Sequence, residues 1–239
     1  MSDKAPVPAS MPAVTTVAEA IERMQQIAAS LPASDGIACF NRMYLDVTQQ
    51  VSDALRQGEF ADPGFISSLD PTFANFYFDA VDAAATGGVA AVPPAWQPLF
   101  ELRSNTDIYP VQFALAGMNA HINHDLPLAV VQTCTDLGTA PDDGTHHVDY
   151  QKVDALLDAA EQSVRESFES GDALRADRDM RPVLDLIGNW SINSARDVAW
   201  DTAVALWHCR EIPAVGQLMI AGMARTVAMA SRCLLVPLP

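Results

Sequence analysis

The chain has 239 residues, with 30 acidic side chains against 14 basic ones and a formal net charge of −16. This length favours one large domain with a substantial core over two domains. A surface of this charge repels nucleic acids and anionic lipids, so neither is an expected partner. Apolar residues make up 49% of the chain, but Pro, Asn and His interrupt the uncharged stretches before any is long enough to cross a membrane. We therefore expect a soluble protein without membrane insertion.

The amino terminus and the cysteines indicate the compartment. Residues 1–14 are rich in Pro, Ala and Ser but lack the basic region and continuous apolar core of a signal peptide. They are predicted to form a flexible leader before a single domain over residues 15–239. The cysteines show neither close pairing nor a zinc-binding spacing. We expect four buried, reduced thiols in a cytoplasmic protein: Cys39, Cys134, Cys209 and Cys233.

Helix signals begin at the start of the domain. Thr16-Val-Ala-Glu19 is a capping box before an amphipathic repeat that ends near Leu31. A second helix is predicted from about Gly36 to Arg56. Asp62-Pro63 and Asp70-Pro71 each place an N-cap acceptor before a proline at the first helical position, so each is predicted to open a helix.

The second half of the chain continues in the same way. The helix opened by Asp70 is predicted to end at Gly87-Gly88, and Pro93-Pro94 precedes a short helix containing Trp96. Further predicted elements are a helix opened by Pro110, a loop over about 138–148, a helix capped by Asp149, and helices over roughly 191–210 and 213–234. No segment shows sustained strand alternation. The sequence predicts an all-α fold, a single compact domain of about eight to ten helices.

The segment from Val111 to Thr133 is the most informative, because it places ionisable groups inside an apolar helix. At 100° per residue, His121, His124 and Asp125 share one face, together with Gly117, Met118 and Leu128, while Asn119 and Asn123 lie on the opposite face. Burying such groups is costly unless they are paired, hydrogen-bonded or bound to a metal. We expect this helix at the centre of the domain, with a kink or restart at Pro127.

Four segments carry a family resemblance. They are Phe113–Leu128, which contains the LAGMNAHINHDLPL run, together with Cys39–Tyr44, Leu69–Tyr77 and Trp190–Trp200. The chain resembles an actinobacterial family of uncharacterised all-helical proteins, catalogued as a domain of unknown function. The resemblance extends over nearly the whole chain after the leader, and it implies a fold without an assigned activity.

His121-x-x-x-Asp125-Leu, followed by Pro-Leu, is also similar to the helical zinc ligands of the phospholipase C and P1 nuclease family. That likeness implies a zinc-dependent phosphoesterase-like hydrolase. Those enzymes carry a further His after the Pro-Leu, where this chain has Ala129-Val-Val131, and they use a processed amino terminus as a ligand. Both departures count against the zinc ligand set.

A metal site is one interpretation of the cluster. His and carboxylate ligands suit zinc, iron or manganese, and one helix can supply two of them at this spacing. The candidate ligands are His121, His124 and Asp125, completed by His146, His147 or Asp149 from the following loop, or by Asp70, Asp79 or Asp82 from an earlier helix. A di-iron bundle is disfavoured because no Glu-x-x-His motif is present.

A metal-free acid/base site is the second interpretation, since a carboxylate can orient a histidine and tune its pKa. Its candidate catalytic residues are His121, His124, Asp125, Tyr44 and Arg196. Aromatic residues could shape an apolar pocket beside them: Phe40, Tyr44, Phe73, Tyr77, Phe113, Trp190 and Trp200. Arg196 could stack on Trp200 or pair with Asp70 or Asp125, and a structural salt bridge is the favoured role.

The third interpretation is structural, with the histidines as core residues hydrogen-bonded to Asp125, Tyr44 or backbone carbonyls. No nucleophile elbow, phosphate-binding glycine loop or dinucleotide fingerprint occurs, so no nucleotide cofactor is expected. The leading hypothesis is a cytoplasmic enzyme acting on a small, largely apolar metabolite, such as a hydrolase, lyase or cyclase of secondary metabolism. The alternatives are a non-catalytic ligand-binding or scaffold protein and the zinc-dependent hydrolase. The sequence leaves the oligomeric state open.

Overall fold

The computed structural model describes residues 12–169 and 191–237, with the backbone alone for 158–169. All the regular secondary structure in these residues is helical. This confirms the all-α class, and the nine α-helical segments seen there agree with the predicted eight to ten. They are α1 (Val17–Ser30), α2 (Gly36–Gln57), α3 (Pro63–Gly87), α4 (Gln97–Leu102), α5 (Pro110–Ala120), α6 (Leu126–Leu137), α7 (His146–Glu169), α8 (Ile192–His208) and α9 (Pro213–Leu234). A short 3-10 turn spans Val89–Ala91, and a π-helical turn, His121–Asp125, joins α5 to α6.

Capping chemistry fixes the ends of the first helices as the sequence predicts. The Thr16 side chain accepts from the Glu19 backbone, and Glu19 reaches back to the N-cap backbone, which completes the capping box of α1. Gly58 ends α2 at φ 73°, in the left-handed region that a side chain disfavours. Asp62 caps α3 by accepting from the Phe65 backbone N–H.

The prediction of a separate helix opened by Asp70 is wrong. Asp70-Pro71 lies inside α3, which runs unbroken from Pro63 to Gly87. Pro71 is buried there, and packing of the apolar face of α3 outweighs the backbone hydrogen bond that a proline removes. This places Asp70 and Phe73 one turn apart on a single helix.

The predicted central helix is a rod of α5, the π turn and α6, and most of its residues, including nearly all of α5 and the π turn, are buried. Its α5 portion packs against α2 and α9, and its α6 portion packs against α3 and α8. The predicted restart near Pro127 is seen as a π turn, in which the Leu126 backbone N–H donates to the His121 carbonyl, followed by α6, which begins at Leu126 with Pro127 in its first turn. The rod therefore holds the histidines at the centre of the helices around it.

Three further predictions need correction. The loop after α6 is shorter than predicted, so His146 and His147 lie in the first turn of α7. Asp149 does not cap that helix. Its buried carboxylate accepts from the backbone N–H groups of Ala61 and Asp62 at 2.9 and 2.5 Å, which anchors the start of α3. Burial of all four cysteines is also wrong, because Cys209 is half-buried and Cys233 is exposed, although every one is a free thiol.

The predicted leader is only partly within the described residues. Residues 1–11 lie outside them, whereas Val14 exchanges two backbone hydrogen bonds with the Asn75 side chain, at 2.9 and 2.8 Å. No helix in the described ranges combines the length and the apolar character needed to span a bilayer.

Candidate functional site

Asp125 is the centre of the buried polar cluster, and its carboxylate accepts three side-chain hydrogen bonds. Oδ2 lies 2.8 Å from Trp96 Nε1 and 3.0 Å from His121 Nδ1, and Oδ1 lies 2.7 Å from His124 Nδ1. Burial acts to raise the pKa of Asp125, but the hydrogen bonds from both histidines outweigh it and leave the pKa below its ordinary value. Asp125 is therefore ionised, and both of its oxygens accept hydrogen bonds.

The bonds to Asp125 fix the tautomer of His121. An ionised carboxylate can only accept, so Nδ1 carries the proton and Nε2 carries a lone pair. Burial lowers the pKa of His121, against the raising effect of Asp125, which keeps the ring neutral at physiological pH. Nε2 is buried and has no hydrogen-bond partner. The cluster thus contains one unsatisfied, basic nitrogen.

Aromatic rings hold His121 on several sides. Phe73 of α3 stacks on it with ring centroids 3.5 Å apart and planes 5° apart. Tyr44 and Phe40 of α2 meet it edge-on, at 4.5 and 5.7 Å. Because these rings come from two other helices, the orientation of the imidazole depends on tertiary packing.

A largely apolar cavity lies beside this cluster. It leaves about 80 Å³ for the centres of water-sized molecules, whereas one water needs about 10 to 15 Å³ on the same measure. Its apolar walls come from α2, α3, the central rod, α7 and α8, and its polar members are Tyr44, Asp70, His121, Tyr150 and Arg196. The cavity is therefore roomy enough for several waters or for one small molecule.

Three buried polar atoms on residues that line the cavity lack a hydrogen-bond partner. They are His121 Nε2, the Tyr44 hydroxyl and Asp70 Oδ2. Burial raises the pKa of Asp70 to about 7, so a large share of this carboxyl is protonated near neutral pH. Burial also raises the pKa of Tyr44 well above its ordinary value, with the charge of Asp70 adding to the effect, so Tyr44 stays a hydroxyl donor.

Arg196 lines the cavity with its charge already engaged. Its Nε donates to Asp154, its Nη2 donates to the Tyr150 carbonyl at 2.6 Å, and its guanidinium carbon lies 4.0 Å from the centre of the Tyr150 ring. The favoured interpretation of a structural salt bridge fits these contacts. The partners differ from the expected ones, because the Arg196 carboxylate partner is Asp154 rather than Asp70 or Asp125, and its aromatic partner is Tyr150 rather than Trp200.

The histidines that were predicted to complete a metal site, His146 and His147, have partners outside the cluster around Asp125. His146 donates from Nδ1 to the Ala140 carbonyl at 3.1 Å and stacks on Phe65, while His147 stacks on Trp200. Among the residues that the structure describes, no group of three His, Cys, Asp or Glu side chains is placed to hold a metal ion. The face of the central segment that meets the cavity also differs from the predicted one, because the π turn alters the helical period. Leu126 lines the cavity together with His121 and Met118, whereas in a regular helix Leu128 would lie on the same face as these two residues.

Of the aromatic residues predicted to shape a pocket, Phe40, Tyr44 and Phe73 line the cavity. Tyr77 packs behind them and donates to Asn41, and Trp190 lies outside the described residues. The candidate site set did not include Trp96, and it considered Asp70 only as a metal ligand or as a partner of Arg196. The sequence does contain a signal that Asp70 lies near the core, because this acidic residue has Leu69 and Phe73 as close apolar neighbours on one helix. Nothing in the sequence links Trp96 to Asp125.

The comparison with family profiles gives one match, over residues 17–237, to a family described as "Family of unknown function (DUF5995)". The expectation of a helical family without an assigned function is thereby confirmed. A search for similar curated proteins and a search of solved structures found no match.

Proposed function

The chain belongs to this family of unknown function, and from its site we propose that it is an acid/base enzyme acting on a small, largely apolar molecule. One observation carries the proposal. His121 presents a buried, unprotonated and unbonded Nε2 beside the cavity, while an ionised Asp125 holds its Nδ1. A base oriented by a carboxylate on its far nitrogen is a recurrent arrangement for proton abstraction.

The support for Asp125 as a positioning residue comes from its own partners. Trp96 and His124 also donate to the carboxylate, so it cannot rotate away from His121 without losing those hydrogen bonds. The negative charge also stabilises the imidazolium that forms when Nε2 takes a proton. His124 and Trp96 thus act through Asp125, and His121 is the proposed catalytic base.

A non-catalytic ligand-binding protein is the second candidate, and a specific feature favours it. The polar cluster is well satisfied apart from Nε2, and satisfied buried networks also occur purely to specify packing. The cavity would then bind an apolar ligand without converting it. The zinc-dependent alternative has weaker support, because the predicted ligands do not converge.

The cytoplasmic location is part of the same proposal. It is supported by the four free thiols, since structural disulfides are common in oxidising compartments.

The test is conversion of a panel of small uncharged ketones, esters, lactones, alcohols and alkenes by the purified protein in deuterated buffer, followed by NMR and mass spectrometry. We expect at least one compound to be converted or deuterated, and His121→Gln to slow this by about 100-fold or more, the usual contribution of a general base. His146→Gln is the matched control, because His146 is a buried histidine with different partners and does not line the cavity.

Two outcomes would count against the proposal. Compounds that bind by saturation-transfer NMR without any conversion would favour the non-catalytic binding protein. Conversion at an undiminished rate in His121→Gln would remove His121 as the base.

A further inference from the structure

We propose that the substrate is an uncharged carbonyl compound with an acidic C–H beside the carbonyl, and that Asp70 and Tyr44 together bind its oxygen. This inference rests on the proposed function, because it takes His121 as the base. The inference goes beyond the proposed function by naming the substrate class and two further catalytic residues.

The three unsatisfied atoms of the cavity form a complementary set. The Tyr44 hydroxyl and a protonated Asp70 can donate, whereas His121 Nε2 can only accept. Unsatisfied buried groups are costly in the empty protein, and a ligand that satisfies all of them recovers that cost. Such a ligand needs one oxygen that accepts two hydrogen bonds and one proton that a base can remove.

Helix geometry brings the donors and the base to one region. Tyr44 meets the His121 ring at 4.5 Å between centroids. Asp70 lies one helical turn before Phe73, whose ring stacks on His121 at 3.5 Å. Asp70 is also near enough to Tyr44 for its charge to raise the pKa of the tyrosine. The two donors therefore come from α2 and α3, and the base from the π turn.

The charges around the cavity exclude an anionic substrate. The one cation among its lining residues, Arg196, is bound to Asp154 and to the Tyr150 carbonyl. Asp125 is ionised and hydrogen-bonded to the base, so its charge repels a phosphate or a carboxylate. An uncharged molecule with an apolar body suits these walls.

The reaction step balances without a co-reactant. His121 Nε2 takes the proton from the carbon beside the carbonyl, and the electron pair of that C–H bond forms a carbon–carbon double bond. The carbonyl electrons move to the oxygen, where hydrogen bonds from Asp70 and Tyr44 stabilise the negative charge. The imidazolium then returns the proton to a carbon conjugated with the first, which gives isomerisation, or it exchanges its proton with solvent deuterium before reprotonating the same carbon, which gives exchange.

The pH dependence follows from the titratable groups that line the cavity. Tyr44 of α2 and Tyr150 of α7 have pKa values raised by burial, so both stay protonated at neutral pH. Arg196 of α8 is paired with Asp154. That leaves His121, which must be unprotonated, and Asp70, which must be protonated. The value of kcat/KM therefore rises above the lowered pKa of His121 and falls again above about pH 7, where Asp70 ionises.

The experiment measures deuterium exchange at the carbons beside the carbonyl of cyclohexanone, by NMR, as a function of pH. Asp70→Leu and Tyr44→Phe each remove one donor, and we expect each to lower kcat/KM by about 100-fold. Asp70→Asn keeps the shape and an N–H donor that does not titrate. It should retain exchange within about tenfold and lose the decline above pH 7. Asp201→Asn, which removes a carboxylate from an exposed position on α8, is the control and should leave both rate and profile unchanged.

The outcomes separate this inference from the proposed function. Conversion of a panel compound without a carbonyl, dependent on His121, together with no exchange of cyclohexanone, would keep the base and overturn the substrate class. Exchange that needs His121 but is the same in Asp70→Leu and Tyr44→Phe would overturn the roles of the two donors. An alkaline decline that persists in Asp70→Asn would contradict the assignment of that limb to Asp70.

Discussion

At the scale of single residues, Asp125 shows how one ionised group can be stable in an apolar core. Each of its oxygens accepts at least one hydrogen bond, and the three donors come from Trp96, His121 and His124. Charge-assisted hydrogen bonds of this kind offset the cost of removing the carboxylate from water. The site therefore depends on a complete set of partners rather than on a single pair.

We expect Asp125→Asn to lower the free energy of unfolding by about 1 to 3 kcal/mol, because the amide NH2 group replaces an acceptor and leaves at least one donor unpaired. Urea denaturation followed by circular dichroism measures this change. Asp201→Asn removes the same charge from an exposed position and should stay within about 0.5 kcal/mol of the parent protein. A neutral or stabilising Asp125→Asn would instead indicate that the cluster is strained in the ligand-free protein.

Asp70 should make stability depend on pH. Its pKa is about 7 in the folded protein against an ordinary 3.8, so the folded state holds its proton more tightly. Stability from this group is complete below about pH 4 and is lost as pH rises through about 7. Asp70→Asn cannot ionise, and we expect it to be more stable than the parent by up to about 4 kcal/mol at pH 8, with the gain nearly absent at pH 4. Paired urea melts at both pH values measure the difference, and a gain independent of pH would show that Asp70 does not titrate in this range.

At the scale of elements, the π turn in the central rod is the decisive local feature. Pro127 lacks the N–H that would bond to the Asn123 carbonyl in a regular helix, and its ring crowds that carbonyl. Widening the turn lets Leu126 bond to His121 across five residues and keeps the rod continuous. It still leaves His121 Nδ1 and Asp125 Oδ2 3.0 Å apart, so the irregularity and the site occupy the same five residues.

Close approach of α2 to α5 also sets the site, and it can be tested at Gly117. A Cβ there would lie 2.5 Å from the Phe40 ring and 2.7 Å from Phe40 Cβ, so Phe40 would have to shift near its backbone. We expect Gly117→Ala to destabilise the protein by about 1 to 3 kcal/mol in thermal or urea melts. Gly222→Ala on α9 is the matched control, because nothing lies within 4 Å of its Cβ and alanine should stabilise a helix interior by up to about 1 kcal/mol. Equal effects at the two glycines would contradict the tight contact.

At the scale of the whole molecule, the central rod organises the helices around it, and the cavity lies between the rod, α2, α3, α7 and α8. The charged side chains are distributed differently from the apolar ones. Among the residues whose burial the structure describes, few of the buried ones are ionisable, so most of the acidic and basic side chains there lie outside the core. A negative surface around an apolar cavity fits an uncharged ligand better than an anion.

The sequence by itself determined the helical class, most helix boundaries and the choice of His121, His124 and Asp125 as the residues to examine. These are local properties, because capping groups, prolines and apolar periodicity act within a few residues. It could not place Asp70 inside a continuous helix, since its Asp-Pro pair has the same local signature as the helix start at Asp62.

Tertiary structure alone decided which polar atoms share the cavity. Trp96 reaches Asp125 across 29 residues of chain, and Arg196 reaches Asp154 across 42, and neither pairing has a periodic signal in the sequence. The metal hypothesis drew on His146 and His147 because they are near the rod in sequence, yet packing on Phe65 and Trp200 gives them other partners. Short-range rules thus identify the residues that are costly to bury, and only the packing of distant helices decides which of them remain unsatisfied beside a cavity.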